Sequence, residues 1–274
     1  MAKHAALSPS RTKDFKQCPL MFRFRTIDKL PEPPSTVPLR GTVVHSVLEH
    51  LFDLPAAERT APAAQELLEP RWEAHKEKEP EVMDLFADSA EEADWLGSAR
   101  QLIANYFKME NPQFLEPAAR EKFVNAVLPS GLAIRGIIDR VDKAPDGSIR
   151  VVDYKTGKSP APRFQDDALF QMRFYATALY LEEGTLPVRT QLIYLKDGRT
   201  LTYDPSPDDV KSIELELDSA WSGILGRIDS GVFEPKQTPL CPWCNFKDLC
   251  PAFGGTAPEM DVEGAEQLLT AQVR

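Results

Sequence analysis

GIIDRVDKAPDGSIRVVDYKTG, residues 136–157, is the stretch that decides the fold. Apolar and β-branched residues on either side of Pro145-Asp146-Gly147 predict two half-buried strands, Ile134 to Lys143 and Ile149 to Tyr154, joined by a tight turn. Pro-Asp-Gly favours a three-residue loop with Gly147 in the left-handed region, and in such a loop the numbers of residues paired across the ladder sum to 292. Asp139 then faces Asp153, and Lys155, two residues on, shares the face of Asp153. Two carboxylates at a cross-strand distance of ~5 Å repel each other unless a counter-charge lies between them. A divalent cation is the natural counter-charge. Two acids and a lysine are also what hydrolysis of an anionic phosphodiester requires: a metal to neutralise the phosphate and acidify water, and an ammonium to hold that water or the developing charge. Tyr154 points to the opposite face, so only its backbone carbonyl can reach such a metal. The plainer explanation pairs the two acids with Arg140 and Arg150 at the surface. Against it, Asp139 follows Ile137-Ile138 and Asp153 follows Val151-Val152, and carboxylates in strands that become buried usually have a partner or a metal.

Upstream of the hairpin, Ser8-Pro9-Ser10 starts a short helix that Cys18-Pro19 ends, and an amphipathic piece follows over Leu20 to Leu30. Residues 31–35 read as a linker, and Gly41 to Phe52 as a helix with Val44, Val47, Leu48 and Leu51 on one stripe. On that helix His45 and Glu49 are four apart, so the carboxylate can orient the ring. Residues 56–110 have helical periodicity and form an inserted lobe. Strands are predicted near 121–128, 132–143 and 149–154, with Glu121 before the first of them as a solvated strand end or a further acid. Gln165 to Leu181 is a helix on which Gln171 and Tyr175 share a face, and Val188 to Tyr203 a second hairpin. Ser206 caps a long helix to about Asp229, and the segment after Pro251 reads as a partly mobile tail. Thr156-Gly157-Lys158-Ser159 has the end of a P-loop, but the first glycine of that motif falls on Val152 in a strand, which argues against a nucleotide-driven motor.

The chain has 274 residues, 42% of them apolar, enough for one sizeable core and a single domain over 1–274. It lacks an apolar run long enough for a membrane span, and MAKHAALSPSR lacks the apolar block of a secretory signal, so a cytoplasmic protein is expected. The net charge of −10 is unfavourable for nucleic-acid binding, but it is unevenly spread. Residues 1–30 carry seven Lys or Arg against Asp14 and Asp28, whereas residues 58–94 carry twelve acids against four bases.

The four cysteines are Cys18, Cys241, Cys244 and Cys250, the last three in a compact C-x2-C-x5-C. In a reducing compartment they are better metal ligands than disulfides. A fourth ligand at Cys18 ties the first helix to the last element, closing a long loop whose entropy the metal bonds offset. Spacing alone accommodates structural zinc, a 4Fe-4S cluster or unliganded thiols.

Asp139, Asp153-Tyr154-Lys155, the preceding Gly41-Thr42-Val43-Val44-His45 and the following Gln171-Met172-Arg173-Phe174-Tyr175 together resemble the RecB-type branch of the PD-(D/E)XK nucleases. The cysteines resemble its iron–sulfur subgroup, seen in AddB-type exonucleases and CRISPR-adaptation nucleases; the likeness runs from about Leu7 to Pro251. It implies an α/β fold of the restriction-endonuclease type. Basic N-terminal helices with Cys18 (1–35) and the helical lobe (56–110) precede a core sheet and helix (121–204). A long helix with the cysteine element (205–251) and a tail (252–274) follow. It further implies that His45, Asp139, Asp153 and the Tyr154 carbonyl hold Mg2+ or Mn2+, that Lys155 serves the chemistry, and that Gln171 and Tyr175 frame the site and touch DNA. The cluster rather than zinc would occupy the cysteines as a structural clamp. The expected activity is that of an exonuclease on single-stranded DNA or DNA ends in repair or recombination, with a possible helicase partner. The competing expectation is a non-catalytic nucleic-acid-binding subunit clamped by a structural metal; a third is a hydrolase of another phosphate ester.

Overall fold

Strands β1 (Pro117–Val127), β2 (Ala133–Lys143) and β3 (Ile149–Lys155) form two consecutive antiparallel hairpins. The structure, a computed structural model, describes residues 6–270; Lys3 of the basic N-terminal segment and the last four residues of the tail lie outside them. Both hairpins close by the same device. In Pro129-Ser130-Gly131 and in Pro145-Asp146-Gly147 the glycine N–H bonds back to the carbonyl of Leu128 or Ala144, with the glycine at φ 89°. Only glycine occupies that region without strain, so each turn fixes its register. β2 and β3 pair from Lys143 with Ile149 to Arg140 with Val152, the sum of 292 that the turn dictates. β1 and β2 keep a sum of 260 from Val127 with Ala133 to Ala119 with Val141. A crossover helix then returns the chain to place β4 (Arg189–Tyr194) parallel to β3, and β5 (Arg199–Tyr203) turns back antiparallel along β4. The five-stranded sheet has the order β1-β2-β3-β4-β5.

The helices are α1 (Pro9–Gln17), the short α2 (Pro19–Phe22) continued by a π turn to Ile27, and α3 (Thr36–Leu51). Then come α4 (Ala61–Lys78), α5 (Ser89–Met109), the crossover α6 (Asp166–Glu183), α7 (Pro207–Ser230) and α8 (Val262–Leu269). They cover the sheet from two sides. Phe15, Phe22, Phe24, Phe174, Leu217 and Trp221 pack on Val124, Ile134 and Val151, so α1, α2, α6 and α7 share one core. Val44, Val47, Trp72, Trp95 and Tyr106 pack on Val152, Tyr154 and Ile193, so α3, α4 and α5 form the second. The result is a mixed α/β fold, a sheet between helical layers, with the acidic helical segment standing on one side. Among the described residues no helix is long and apolar enough to cross a membrane.

Three expectations are corrected. Helix α3 begins at Thr36, capped by the Ser35 hydroxyl, five residues before the predicted start at Gly41. Strand β1 begins at Pro117, so Glu121 lies inside a strand rather than ahead of one. The segment after Pro251 is no loose tail. Ala265 and Leu268 of α8 enter the first core, Gly264 lies against the Ile27 carbonyl, and Asp261 donates its N–H to Asp28 at 3.0 Å. The acids that suggested mobility lie outside the apolar stripe that docks.

Candidate metal centre and catalytic site

The site sits where the β2–β3 ladder opens. Pairing stops at Arg140 with Val152, and the next pair out is Asp139 with Asp153. In place of a ladder bond, the Tyr154 N–H donates to Asp139 Oδ2 at 2.6 Å. Glu121, the partner of Asp139 in the sum of 260, has φ 42°, a left-handed conformation that costs a non-glycine residue on the order of 1–3 kcal/mol. There the pleat slips by one residue in both strands at once. Ala119 and Val141 pack on the core at one end, but Val124, Ala126, Ile134 and Ile138 at the other, while the pairing sum is unchanged. Beyond the slip β2 turns its odd-numbered backbone groups to the edge that β3 has left. Leu7 bonds there to the Ala133 carbonyl and the Arg135 N–H, at 3.0 and 2.8 Å.

Glu121, Asp139 and Asp153 thus form a row of carboxylates across three neighbouring strands, and α3 brings His45 to it with Nδ1 3.5 Å from Asp139 Oδ2. Ligand atoms of His45, Glu121 and Asp139 all lie within 4.8 Å of one another, close enough to share one cation. Asp153 is 4% exposed and doubly held: Lys155 Nζ lies 2.6 Å from Oδ2, and Gln171 of α6 donates to Oδ1 at 3.0 Å. The same amide donates to the Tyr175 hydroxyl at 3.2 Å. Gly136 makes room for that ring, because a Cβ there would sit 2.7 Å from Tyr175 Cε1. Tyr154 carries its ring to Arg140 and Tyr106, edge-on to the His45 ring at 6.1 Å between centroids, while its N–H faces Asp139.

The electrostatics record an excess of negative charge. Burial, then the Asp139 carboxylate, push Asp153 up to about 6 in spite of Lys155. Glu121 is pushed up to about 7, again by burial first and Asp139 second. Burial is also the largest influence on His45 and disfavours its charged form. The hydrogen bond and charge of Asp139, with Asp153 and Glu121 behind it, nonetheless hold its pKa above the usual value. Carboxyls that burial and mutual repulsion keep protonated toward neutral pH suit a divalent cation. The surface-pair explanation finds no support, since Arg140 is bound to Glu110 and Asp142, and Arg150 to Asp142.

Sequence reasoning underrated Glu121 and misplaced the role of Glu49. The carboxylate on the His45 ring is Asp139; Glu49 lies 3.7 Å from His50 instead and adds only negative potential at Glu121. The signal for Glu121 was present. Pro129-Ser130-Gly131 obeys the same turn arithmetic as Pro145-Asp146-Gly147, and applying it places Glu121 opposite Asp139.

All four cysteines line one small cavity between α1 and the C-terminal turns, and the other three thiols each contribute to raising Cys244, after burial. Backbone N–H groups already point at sulfur: Lys236 to Cys18 Sγ at 3.4 Å and Thr238 to Cys241 Sγ at 3.2 Å. Among the described residues, the His45 trio is the one group of three or more such side chains whose ligand atoms all lie within 4.8 Å of one another, so no three of the sulfurs are that close together.

A family model described as the PD-(D/E)XK nuclease superfamily matches residues 6–251. The Gene 69 protein of Mycobacterium phage D29 is 25% identical over 275 residues, covering 90% of this chain and 96% of that protein. The Gene 69 protein of Mycobacterium phage L5 is 32% identical over 126 residues, 45% of this chain and 41% of that protein. One chain of the ATP-dependent helicase/deoxyribonuclease of Streptococcus mutans is 38% identical over 56 residues, 20% of this chain but 5% of that much longer protein. Among solved structures, a protein of Eubacterium rectale provisionally described as an exonuclease superposes with a TM-score of 0.58 at 16% identity, over 89% of this chain and 88% of the other; that likeness concerns the fold.

Proposed function

The chain belongs to the PD-(D/E)XK nuclease superfamily, and from that premise we propose that it is a divalent-metal-dependent deoxyribonuclease of the RecB/AddB iron–sulfur type, acting on single-stranded DNA or DNA ends. The observation that carries the proposal is the row Glu121, Asp139, Asp153 with His45 at one end and Lys155 at the other. His45, Glu121 and Asp139, with Asp153 and the Tyr154 carbonyl beside them, would hold Mg2+ or Mn2+. When bound, the cation supplies neutralisation of the phosphate and acidification of water. The protein's own groups do the rest. Asp153 fixes the Lys155 ammonium, which is positioned to orient water and to stabilise charge gathering on the phosphate. Gln171 locks the Asp153 rotamer and the Tyr175 hydroxyl together, so α6 sets the geometry of the acids.

The four cysteines around one small cavity can take a 4Fe-4S cluster or zinc, and the resemblance to the iron–sulfur subgroup favours the cluster. N–H groups aimed at two of the sulfurs match the hydrogen bonding that tunes such clusters. The short stretch shared with the Streptococcus mutans helicase/deoxyribonuclease supports deoxyribonuclease action beside a helicase. The test is degradation of an end-labelled single-stranded oligonucleotide with Mn2+ and with EDTA, on protein purified anaerobically and assayed for iron. Mn2+-dependent shortening is expected. Binding without any product favours the non-catalytic reading, and a colourless, zinc-loaded but active protein removes only the cluster.

A further inference from the structure

A cavity of about 420 Å³ opens beside the site, lined by Lys155 and Gln171 together with Pro9, Lys13, Phe164 and Tyr194. Its size is that of a small-molecule pocket and far below what a duplex needs. Phe164 is 63% exposed, and the Arg163 guanidinium lies over its ring at 4.7 Å from the centroid, so a largely solvated π surface with a cation on one face stands at the cavity. Lys13 on α1 reaches across to Asp167 on α6 at 3.0 Å. Both side chains are about half exposed or more, at 48% and 64%, and an ion pair so wet is weak enough for a phosphate to take the place of the carboxylate.

We propose that this cavity is a nucleotide subsite. It receives the nucleotide adjoining the scissile bond of an unpaired strand, with a phosphate on Lys13 and the base stacked on Phe164. The assignment rests on the nuclease reading and adds to it a reason for single-strand preference, because a base inside a duplex has no free face to offer Phe164. Asp167 is then a competitor for Lys13.

Steady-state cleavage of an end-labelled single-stranded oligonucleotide in Mn2+ tests it, with wild type, Phe164→Ala, Phe164→Trp, Lys13→Ala and Asp167→Ala. Phe164→Ala is expected to raise KM about tenfold with kcat within about twofold, and Phe164→Trp to restore KM. Lys13→Ala should raise KM and reduce the salt slope of log KM by about one phosphate contact, whereas Asp167→Ala should lower KM. KM within about twofold of wild type in both Phe164→Ala and Lys13→Ala, or a loss confined to kcat, overturns the subsite. Wild-type cleavage is the separate control: its absence removes the nuclease reading, while its presence beside unresponsive variants removes the subsite alone.

Discussion

The two faces of the β2–β3 hairpin carry comparable numbers of charges and use them in opposite ways. Arg140, wholly buried, meets Glu110 at 2.8 Å, Asp142 at 3.0 Å and the Tyr154 hydroxyl, while Arg150 closes on Asp142 at 2.6 Å. Two guanidiniums answer two carboxylates, and the network pins helix α5 to the sheet. Around Asp139, three carboxylates and a histidine have a single lysine among them, and Glu121 and Asp153 rise toward neutrality as a result. A balanced buried network holds structure; an unbalanced one is suited to a cation from solution. The difference is visible in backbone too, since the ladder is regular through Arg140 and breaks at Asp139.

Substitutions on the two faces should therefore fail in different assays. Asp153→Ala or Lys155→Ala is expected to cut Mn2+-dependent cleavage more than about a hundredfold. The same change to Asp153 should leave the EDTA-treated protein at least as heat-stable as wild type, since it relieves a crowded carboxylate. A variant that still nicks DNA at the wild-type rate removes the site. Arg140→Ala should do the reverse, lowering stability by about 3–5 kcal/mol in denaturant titration because Glu110 and Asp142 lose their buried partner. Activity per folded molecule should survive at low temperature. If Arg140→Ala melts like wild type, the structural assignment of that face is wrong. Gln171→Ala lies between, with about tenfold lost from kcat and little from melting, because it frees Asp153 without removing a charge.

The hairpin, its register and the burial of its acids were legible because they depend on local rules: a Pro-Asp-Gly loop fixes pairing, and pairing fixes faces. What escaped depends on events between strands. Nothing in Arg120-Glu121-Lys122 announces a residue at φ 42°, since the strain is sustained only by pairing with β2, far along the chain. The place of Arg140 escaped too, because one-residue alternation cannot reveal a guanidinium wholly buried under an inserted helical lobe. Helix α8 escaped because it is eight residues long, too short for its apolar stripe to stand out from a tail that glycines and acids introduce.

Glu121 offers the finest test of the comparison, through pH rather than rate. Its carboxyl titrates near the usual carboxylate value in the unfolded chain and at about 7 when folded without metal. Between those values the folded state holds the extra proton, so the stability that depends on Glu121 is intact at pH 4 and is lost as pH rises toward neutrality. Asp153, raised to about 6, acts in the same direction over a lower window. In EDTA the melting temperature of the wild type should therefore fall between about pH 5 and 7.5 relative to Glu121→Gln, which has one fewer proton to lose. Adding Mn2+ at pH 7.5 should reverse the order, because the ionised carboxylate that destabilises the empty site is the one a cation binds. Parallel pH curves for the two proteins, with no metal-dependent crossing, would mean that Glu121 is solvated and stands apart from the row.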